Sequence, residues 1–353
     1  MPWPPVPALI AHRGASASFP EHTLEAYRQA ILEGADVIEP DLVITRDGVL
    51  VARHDNVLAR VDAQGRMLEA TTNVHELAEF AARCCRKTID GVDMRGWFVE
   101  DFTLAELKTL RARERLPHLR PASAQHNDAF DIPTFDDIIN LAKHQALRMP
   151  DHVIGVEPET KHPSYFQSIG LPLEPALLAV LQQHGWNHRG APVVVQSFEV
   201  SNLKALRQCS DLRLAQLVDL HGGPADGQAQ GLSYAHMQSS KGLADIAAYA
   251  DVVAPHKEWV LPWRRDAQGR ALDLLAPTAL VQNAHALGLA VQVWTVRPEN
   301  FFLPAVFQVS EGADDAQHGH THREVTAYLD AGVDALFCDD TASARAAIDA
   351  WLA

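Results

Sequence analysis

Short apolar runs rich in β-branched residues recur along the chain, separated by amphipathic stretches or long polar connections. Strands that alternate with helices in this way predict a parallel sheet with crossover helices. Eight such strands close a TIM barrel, so the pattern predicts an α/β fold, a TIM (β/α)8 barrel. The predicted strands are Ala8 to Ala11, Val37 to Leu42, Val153 to Val156, Val193 to Gln196, Leu214 to Val218, Val252 to Ala254, Ala290 to Trp294 and Ala335 to Phe337.

Four predicted helices are followed by glycine, the residue that most often ends a helix in the left-handed conformation. Thr23 supplies a Ser/Thr-type cap at the start of the first of them. The helices and their glycines are Thr23 to Glu33 before Gly34, Pro175 to His184 before Gly185, Pro277 to Leu287 before Gly288, and Arg323 to Ala331 before Gly332.

Three connections are too long for simple turns, and we expect them to line or cover the open face of the barrel. The largest, at about residues 45–131, is interpreted as a sizeable insertion after the second barrel strand. It begins beyond Asp47-Gly48 with an alternating run that predicts a β-hairpin arm. The other two connections are His221 to Gln238 and Arg297 to His322. With this insertion, residues 1–353 are expected to form a single domain.

The charge balance narrows the range of partners. The chain has 30 Lys and Arg against 45 Asp and Glu, a formal net charge of −15, which opposes nonspecific attraction to nucleic acid or to an anionic membrane. Its apolar stretches fall short of the roughly 20 residues that cross a bilayer, so no stable membrane anchor is expected. A substrate that carries phosphate would therefore need local positive charge.

The start of the chain and its cysteines bear on compartment. The first residues include neither a basic n-region nor an apolar h-region, and the four cysteines, Cys84, Cys85, Cys209 and Cys338, make no disulfide framework or metal-spacing pattern. As the sequence stands, both features favour the cytoplasm. The periplasm is the alternative if a signal peptide has been removed.

Chemically active residues follow the first two predicted strands. His12 and Arg13 come directly after the first, which brings together a titratable base and an anion clamp. Glu39 and Asp41 end the second, and residues i and i+2 of a strand point to the same side, so both carboxylates are expected to face the barrel mouth. Two such charges need a cation, and oxygen ligands suit Mg²⁺ or Ca²⁺ better than zinc.

Two further segments add to this set. His54-Asp55 closes the predicted hairpin arm and returns a second imidazole to the same rim, so that the two histidines can serve as base and acid. After the third strand, Glu157, Glu159 and Lys161 would lie on one side if the strand persists. One of these carboxylates can complete the metal site, and Lys161 can offset the charge of a phosphate.

Five short motifs, in their order and spacing, resemble the glycerophosphodiester phosphodiesterase family. They are His12-Arg13-Gly14, Pro20-Glu21-His22-Thr23, Glu39-Pro40-Asp41, His54-Asp55 and Glu159-Thr160-Lys161. The likeness extends through Gln196-Ser197-Phe198, Trp294-Thr295-Val296-Arg297 and the run from Gly332 to Phe337, and it covers the chain from about Leu9 to Asp340. Residues 154–161 are similar to the longer, often periplasmic branch, whose pattern ends in Pro-Glu-x-Lys. That alignment selects Glu159 over Glu157 as the ligand.

The resemblance implies hydrolysis of a small glycerophosphodiester to glycerol 3-phosphate and an alcohol, with one divalent cation, Ca²⁺ or Mg²⁺. It also implies that the glycerol hydroxyl beside the phosphate can attack it, giving a cyclic phosphate that water then opens. The implied site comprises Glu39, Asp41 and Glu159 on the metal, His12 and His54 in acid–base roles, Arg13 and Lys161 on the phosphate, Gln196 in the pocket, and Phe198, Trp294 and Phe337 as its apolar wall.

Several alternatives remain open at this point. The three aromatic residues could equally be barrel-core packing, and the histidines at 318, 320 and 322 are interpreted as a solvated loop and not as a second metal site. A related barrel phosphodiesterase that acts on lysophospholipids, or a phospholipase D-like lyase, would use the same residues, and the apolar run Phe301 to Phe307 could admit a lipid. A noncatalytic barrel is opposed by the fact that every motif position is filled.

Overall fold

The computed structural model describes residues 4–148, 152–310, 312 and 314–353. Over these residues the chain forms seventeen strands. They are β1 (Ala8–His12), β2 (Val37–Glu39), β3 (Asp41–Ile44), β4 (Leu50–Ala52), β5 (Val57–Val61), β6 (Met67–Ala70), β7 (Cys85–Ile89), β8 (Val92–Phe98), β9 (Gly155–Val156), β10 (Glu159–Thr160), β11 (Val194–Ser197), β12 (Arg213–Val218), β13 (Val252–Pro255), β14 (Trp263–Arg265), β15 (Ala271–Leu274), β16 (Ala290–Val296) and β17 (Ala335–Cys338).

Twelve α-helices lie between and around these strands in the described part of the chain. They are α1 (Leu24–Leu32), α2 (Leu104–Leu107), α3 (Pro121–Ala124), α4 (Phe135–Arg148), α5 (Pro163–Ser168), α6 (Leu173–Gln183), α7 (Val200–Cys209), α8 (Tyr234–Met237), α9 (Ser240–Ala247), α10 (Leu280–Ala286), α11 (Thr321–Asp330) and α12 (Thr341–Leu352). The four helices predicted from their glycines are α1, α6, α10 and α11. Their ends differ from the predicted ones by no more than a few residues, the usual uncertainty of helix ends.

The main sheet is parallel and curls until its first and last strands meet. Strand β1 pairs with β17 on one side and with β2 on the other, and the pairing continues in order through β11, β12, β13 and β16. An isolated parallel bridge between Val156 and Val193 joins the third predicted strand to the fourth. All eight predicted strands are therefore present, with crossover helices around them, as in a TIM barrel.

Proline interrupts two of the predicted strands without separating their partners. Pro40 divides the second strand into β2 and β3, and Pro158 divides the third into β9 and β10, because proline has no N–H to donate to a sheet. The backbone pairing still runs across both breaks, since the amide of Glu159 donates to the carbonyl of Pro40 at 2.9 Å. The breaks therefore leave the carboxylates of the two strands at the same level of the barrel.

Side chains of the barrel strands alternate between two apolar environments. In β1, Leu9 and Ala11 face the helices and pack in the large cluster that includes Tyr27, while Ile10 packs inside the barrel with Phe337. His12 continues the inward-facing series one step further along the strand. Alternation therefore carries the last residue of β1 into the barrel mouth.

Residues 45–131 contain an antiparallel substructure. Strand β4 pairs with β3, as the predicted hairpin arm requires, and a separate four-stranded sheet follows in the order β6, β5, β8, β7. The hairpin of β14 and β15 was not predicted from the sequence. Among the described residues, no helix combines the length and the apolar character needed to cross a membrane.

Candidate active site

A cavity of about 260 Å³ lies at the carboxyl ends of the barrel strands. The structure brings together in it ten of the eleven residues singled out from the sequence, and the eleventh, Asp41, lies directly behind the wall in contact with others of the set. The ten residues are His12, Arg13, Glu39, His54, Glu159, Lys161, Gln196, Phe198, Trp294 and Phe337.

Three carboxylates form one buried cluster. One oxygen from each of Glu39, Asp41 and Glu159 lies within 4.8 Å of the others. Burial and the charge of Asp41 raise the pKa of Glu39 well above its usual range, and burial raises the pKa of Glu159 to about 8. Although burial also disfavours a charged Asp41, Lys161 and Arg13 hold its pKa well below the usual range. Like charges so close in a buried site are stable only with protons or cations between them.

Glu157 belongs to a different environment. Its carboxylate lies inside the barrel, where the side-chain amide of Gln292 donates to it at 3.4 Å, and burial raises its pKa to about 8. The break at Pro158 ends the strand after Val156, so Glu157 and Glu159 do not share one side as an unbroken strand would require. Glu159 and not Glu157 joins the carboxylate cluster.

Arg13 reaches the cluster from a sharp turn after β1. The turn places Arg13 at a φ of 62° and Gly14 at a φ of 91°. A Cβ atom at Gly14 would lie 2.7 Å from the backbone of Ala26, so only glycine fits there. The guanidinium contacts Glu21 at 2.8 Å and Asp41 at 3.3 Å, and the Arg13 amide donates to Glu39 at 2.9 Å.

Lys161 and Gln196 complete the polar lining. The Nζ atom of Lys161 lies 3.0 Å from Glu159 and 3.9 Å from Asp41. The side-chain amide of Gln196 donates to Glu39 at 3.0 Å, whereas its oxygen is buried without a hydrogen-bond partner among the described residues. An orphaned buried acceptor beside three carboxylates is a site that a positive group would satisfy.

His12 is held by an acidic partner that sequence reasoning missed. Its Nδ1 atom lies 2.6 Å from Asp339, the residue after β17. Arg120 donates to the other oxygen of Asp339 at 2.5 Å and to Glu299 at 2.6 Å. Burial, together with the charge of Arg13, lowers the pKa of His12 to about 4. The imidazole is therefore neutral at pH 7, and it donates Nδ1–H to the ionised Asp339.

His54 approaches from the hairpin arm. Its Nδ1 atom lies 2.8 Å from Asp55 and 3.0 Å from the guanidinium of Arg115. Both cannot be hydrogen bonds of the neutral ring, because Nδ1–H can donate to Asp55 but cannot accept from Arg115 at the same time. We assign the hydrogen bond of the His54 Nδ1 atom to Asp55, because the Arg115 guanidinium also donates to Glu21 at 3.0 Å. Burial, with the charge of Arg13, lowers the pKa of His54.

The aromatic residues divide between wall and core. Phe198 and Trp294 are half-buried, and their rings meet edge to face at 5.6 Å. Phe337 is 2% exposed and packs both on His12, at 6.4 Å, and on Ile10 inside the barrel. Phe337 therefore both lines the cavity and packs inside the barrel.

Other residues at the site were not singled out from the sequence. Asp219 directly follows one predicted strand and Asp339 lies two residues beyond another, so the rule that selected His12 could have found them. His22 was read only as part of a motif, yet its Nε2 atom contacts Asp41 at 2.9 Å. Arg120 and Arg115 lie far from any predicted barrel strand, and no local pattern marks them.

Comparison with known proteins places this geometry in a family. The model of the glycerophosphoryl diester phosphodiesterase family matches residues 12–343. The chain belongs to that family. A glycerophosphodiester phosphodiesterase of Arabidopsis thaliana is 32% identical to it over 96% of this chain and 84% of that protein. One from Haemophilus influenzae is 28% identical over 85% of this chain and 80% of that protein. Like these relatives, the chain is a glycerophosphodiester phosphodiesterase.

Solved structures support the same fold for this glycerophosphoryl diester phosphodiesterase family member. A Silicibacter pomeroyi structure, provisionally named as a glycerophosphoryl diester phosphodiesterase, superimposes with a TM-score of 0.64 at 22% identity, covering 99% of this chain and 95% of its own. An Oleispira antarctica phosphodiesterase, solved with the product sn-glycerol-3-phosphate, gives a TM-score of 0.55 at 21% identity, covering 98% and 97%. The likeness spans nearly the whole of each chain.

Proposed function

We propose that the enzyme hydrolyses glycerophosphodiesters to glycerol 3-phosphate and an alcohol with one divalent cation and two histidines. The observation that carries the proposal is the cluster of Glu39, Asp41 and Glu159, whose candidate ligand atoms lie within 4.8 Å of one another, next to the cavity that also holds His12 and His54. The product seen in the Oleispira antarctica phosphodiesterase supports glycerol 3-phosphate as the product here.

The residues fit a hard divalent cation, Ca²⁺ or Mg²⁺. All three candidate ligands offer oxygen, the donor that both ions prefer. Burial raises the pKa values of Glu39 and Glu159, so their charged forms need a cation nearby, and Gln196 adds a buried oxygen that has no partner among the described residues. When bound, the cation would stabilise negative charge on the phosphoryl oxygens.

Arg13 and Lys161 supply the remaining positive charge. Both side chains line the cavity and are at least nine-tenths buried, so their attraction for a phosphate is weakened little by water. Glu21 and Glu159 already hold the two cations in place. The phosphate would therefore meet preorganised donors, which is the arrangement that favours charge developing in a transition state.

His12 and His54 would transfer protons to and from the substrate and water in two steps. In the first, one imidazole accepts the proton of the glycerol hydroxyl as its oxygen bonds to phosphorus, and the other donates a proton to the departing alcohol oxygen. In the second, the histidine that gave up its proton accepts one from water, and the first returns its proton to the glycerol oxygen as the cyclic phosphate opens. Each such transfer is typically worth about 10² to 10⁴ in rate.

The substrate would be enclosed in this cavity by the side chains of Gln196, Phe198, Trp294 and Phe337. Residues 45–131 would form an insertion within a single domain. This insertion would bring His54 to the rim of the cavity and would supply Arg115 and Arg120. In this arrangement the barrel strands fix the cation ligands, and the inserted arm fixes one of the two acid–base residues.

The proposal is tested by an activity panel with glycerophosphocholine and related diesters, before and after treatment with a chelator. We expect turnover to disappear on chelation and to return with Ca²⁺ or Mg²⁺. We also expect the His12→Ala and His54→Ala variants to stay folded and to bind the cation with turnover reduced at least 100-fold. Undiminished turnover after complete chelation, or in both variants, would contradict it.

A second substrate class has one observation in its favour. Phe301 is 58% exposed and lines, with Phe302 and Trp263, a cavity of about 280 Å³ that shares Trp294 and Arg297 with the catalytic one. An acyl chain could lie against this surface. Faster cleavage of lysophosphatidylcholine than of glycerophosphocholine would favour a lysophospholipid substrate.

A further inference from the structure

Arg297 brings a third cation to the catalytic cavity. It directly follows β16 and lines the cavity together with Arg13 and Lys161. Strand β16 lies four places from β10 in the parallel sheet, which is half the circumference of an eight-stranded barrel. Arg297 and Lys161 therefore approach the cavity from opposite sides of the barrel mouth.

We propose that Arg297 is a further substrate-binding residue, whose guanidinium donates to a non-bridging phosphoryl oxygen of the diester from the side opposite Lys161. The inference rests on the proposed function, because it takes the phosphate to lie next to the carboxylate cluster. It adds a third positive group to the two that hold the phosphate there.

The guanidinium of Arg297 has hydrogen-bond donors without acceptors. Its Nε atom is buried and has no hydrogen-bond partner among the described residues, and none of these residues accepts from its other two nitrogens. Asp339 lies 3.4 Å from Nε, but the two oxygens of that carboxylate already bond to His12 and Arg120. A buried donor without a partner calls for an acceptor, and a ligand in the cavity would supply one.

The charge of Arg297 is also less compensated than the charges of the other two cations. Although burial disfavours the charged form of all three, Glu21 raises the pKa of Arg13. Glu159 likewise raises the pKa of Lys161. For Arg297, burial outweighs the neighbouring carboxylate and lowers the pKa. Because arginine stays charged at neutral pH, a bound anion would offset the cost of burying this guanidinium.

Phe302 orients the Arg297 side chain without using its N–H groups. The central carbon of the guanidinium lies over the Phe302 ring, 4.5 Å from its centre. A ring against one face of a guanidinium leaves its edge, where all the N–H groups lie, free to meet an acceptor. That edge has the fork geometry that matches two oxygens of a phosphate. The donors of Arg297 are therefore preorganised for a phosphate ligand.

A purely supporting role for Arg297 makes a different prediction. In that role it would help Arg120 to neutralise Asp339, and through Asp339 it would orient His12. Loss of such support would lower kcat and leave the affinity for a phosphate ligand unchanged. Loss of a direct contact with the phosphate would weaken that affinity as well.

Calorimetry with glycerol 3-phosphate, combined with kinetics on glycerophosphocholine, separates the two roles. We expect Arg297→Met to raise the Kd for glycerol 3-phosphate at least tenfold and to lower kcat/KM by about 10²-fold to 10³-fold. Arg297→Lys should raise the Kd at least threefold, since an ammonium keeps the charge but has no fork. The control is Arg323→Met, which removes an exposed guanidinium 5.8 Å from the centre of the Phe307 ring and should leave both constants within twofold.

A Kd within twofold of wild type in Arg297→Met would overturn the inference and leave Arg297 as a support for Asp339. If circular dichroism shows that Arg297→Met does not fold, the same criterion applies to Arg297→Lys. The Kd values are measured both with Ca²⁺ or Mg²⁺ and after chelation. Turnover that survives complete chelation would overturn the proposed function, and the ratio of the Kd values would still decide this inference.

Discussion

The Nδ1 atom of His12 lies 2.6 Å from Asp339, and Arg120 and Arg297 approach the other oxygen of the same carboxylate. Because His12 donates Nδ1–H to Asp339, its Nε2 atom is left without a proton and can act as a base. A carboxylate in this position fixes both the tautomer and the orientation of the imidazole ring. The pair therefore leads to a prediction about turnover.

Replacing Asp339 with asparagine should reduce kcat by about 10²-fold to 10⁴-fold, because an amide no longer selects the productive tautomer of His12. KM should change by less than about threefold, since Asp339 does not line the cavity. Steady-state kinetics with glycerophosphocholine give both constants. The neighbouring Asp340→Asn is the matched control, because Asp340 caps α12 through Ser343 and asparagine can do the same. A kcat within fivefold of wild type in Asp339→Asn would show that the pair is only structural.

Arg120→Met should destabilise the fold by about 3–5 kcal/mol, because it leaves the buried carboxylates of Glu299 and Asp339 without their cation. Adding Glu299→Gln to Arg120→Met should recover part of this loss. Urea unfolding followed by circular dichroism measures both. Arg113→Met, which removes pairs with the solvent-exposed carboxylates of Glu76 and Asp128, is the surface control and should cost less than about 1 kcal/mol. Similar losses in the two single variants would contradict a special role for Arg120.

Glu159→Gln should weaken the affinity for Ca²⁺ or Mg²⁺ by at least tenfold, whereas Glu157→Gln should leave it within about twofold. Only Glu159 belongs to the carboxylate cluster, and the raised pKa of Glu157, about 8, means that glutamine imitates its protonated form. Isothermal titration of the metal-free proteins makes the comparison. Equal weakening by both substitutions would place Glu157 among the ligands instead.

The carboxyl group of Glu114 makes stability depend on pH. Burial raises its pKa to about 7 in the folded protein, against about 4.3 in an unfolded chain. The folded state therefore binds this proton more tightly than the unfolded chain does. The contribution of the protonated carboxyl group to the stability of the fold is fully present below about pH 4.3, and it is lost as the pH rises through 7. The loss is on the order of 4 kcal/mol, since each pKa unit of difference corresponds to about 1.4 kcal/mol.

Glu114→Gln should therefore flatten the fall in stability between pH 5 and pH 8, and it should raise the free energy of unfolding at pH 8. Glutamine can still accept from the amide of Leu116 and bond to Ser123, the two partners of the carboxyl group. Urea unfolding at several pH values measures the effect. An unchanged slope in the variant would assign the pH dependence to other groups.

The barrel strands could be predicted from the sequence because each is a short apolar run next to a helical pattern. Glu39, Asp41 and His12 followed from strand ends, since their direction depends only on local periodicity. The breaks at Pro40 and Pro158 changed the lengths of the strands but not the level of the carboxylates, because the parallel pairing runs past both prolines.

The ion pairs that hold the site residues in place could not be predicted in the same way. Arg120 bonds to Glu299 and Asp339, which are separated from it by 179 and 219 residues. No periodic pattern encodes contacts at such distances along a chain. Strand periodicity also failed for Glu157, because Glu157 would lie on the same side as Glu159 only in an unbroken strand.

The pairing of β1 with β17 has a consequence for synthesis of the protein. His12 is synthesised before its partner Asp339, which lies 327 residues later in the chain. The nascent chain therefore carries His12 without the carboxylate that orients it until those residues have been added. Catalytic competence should arise only when β17 docks beside β1.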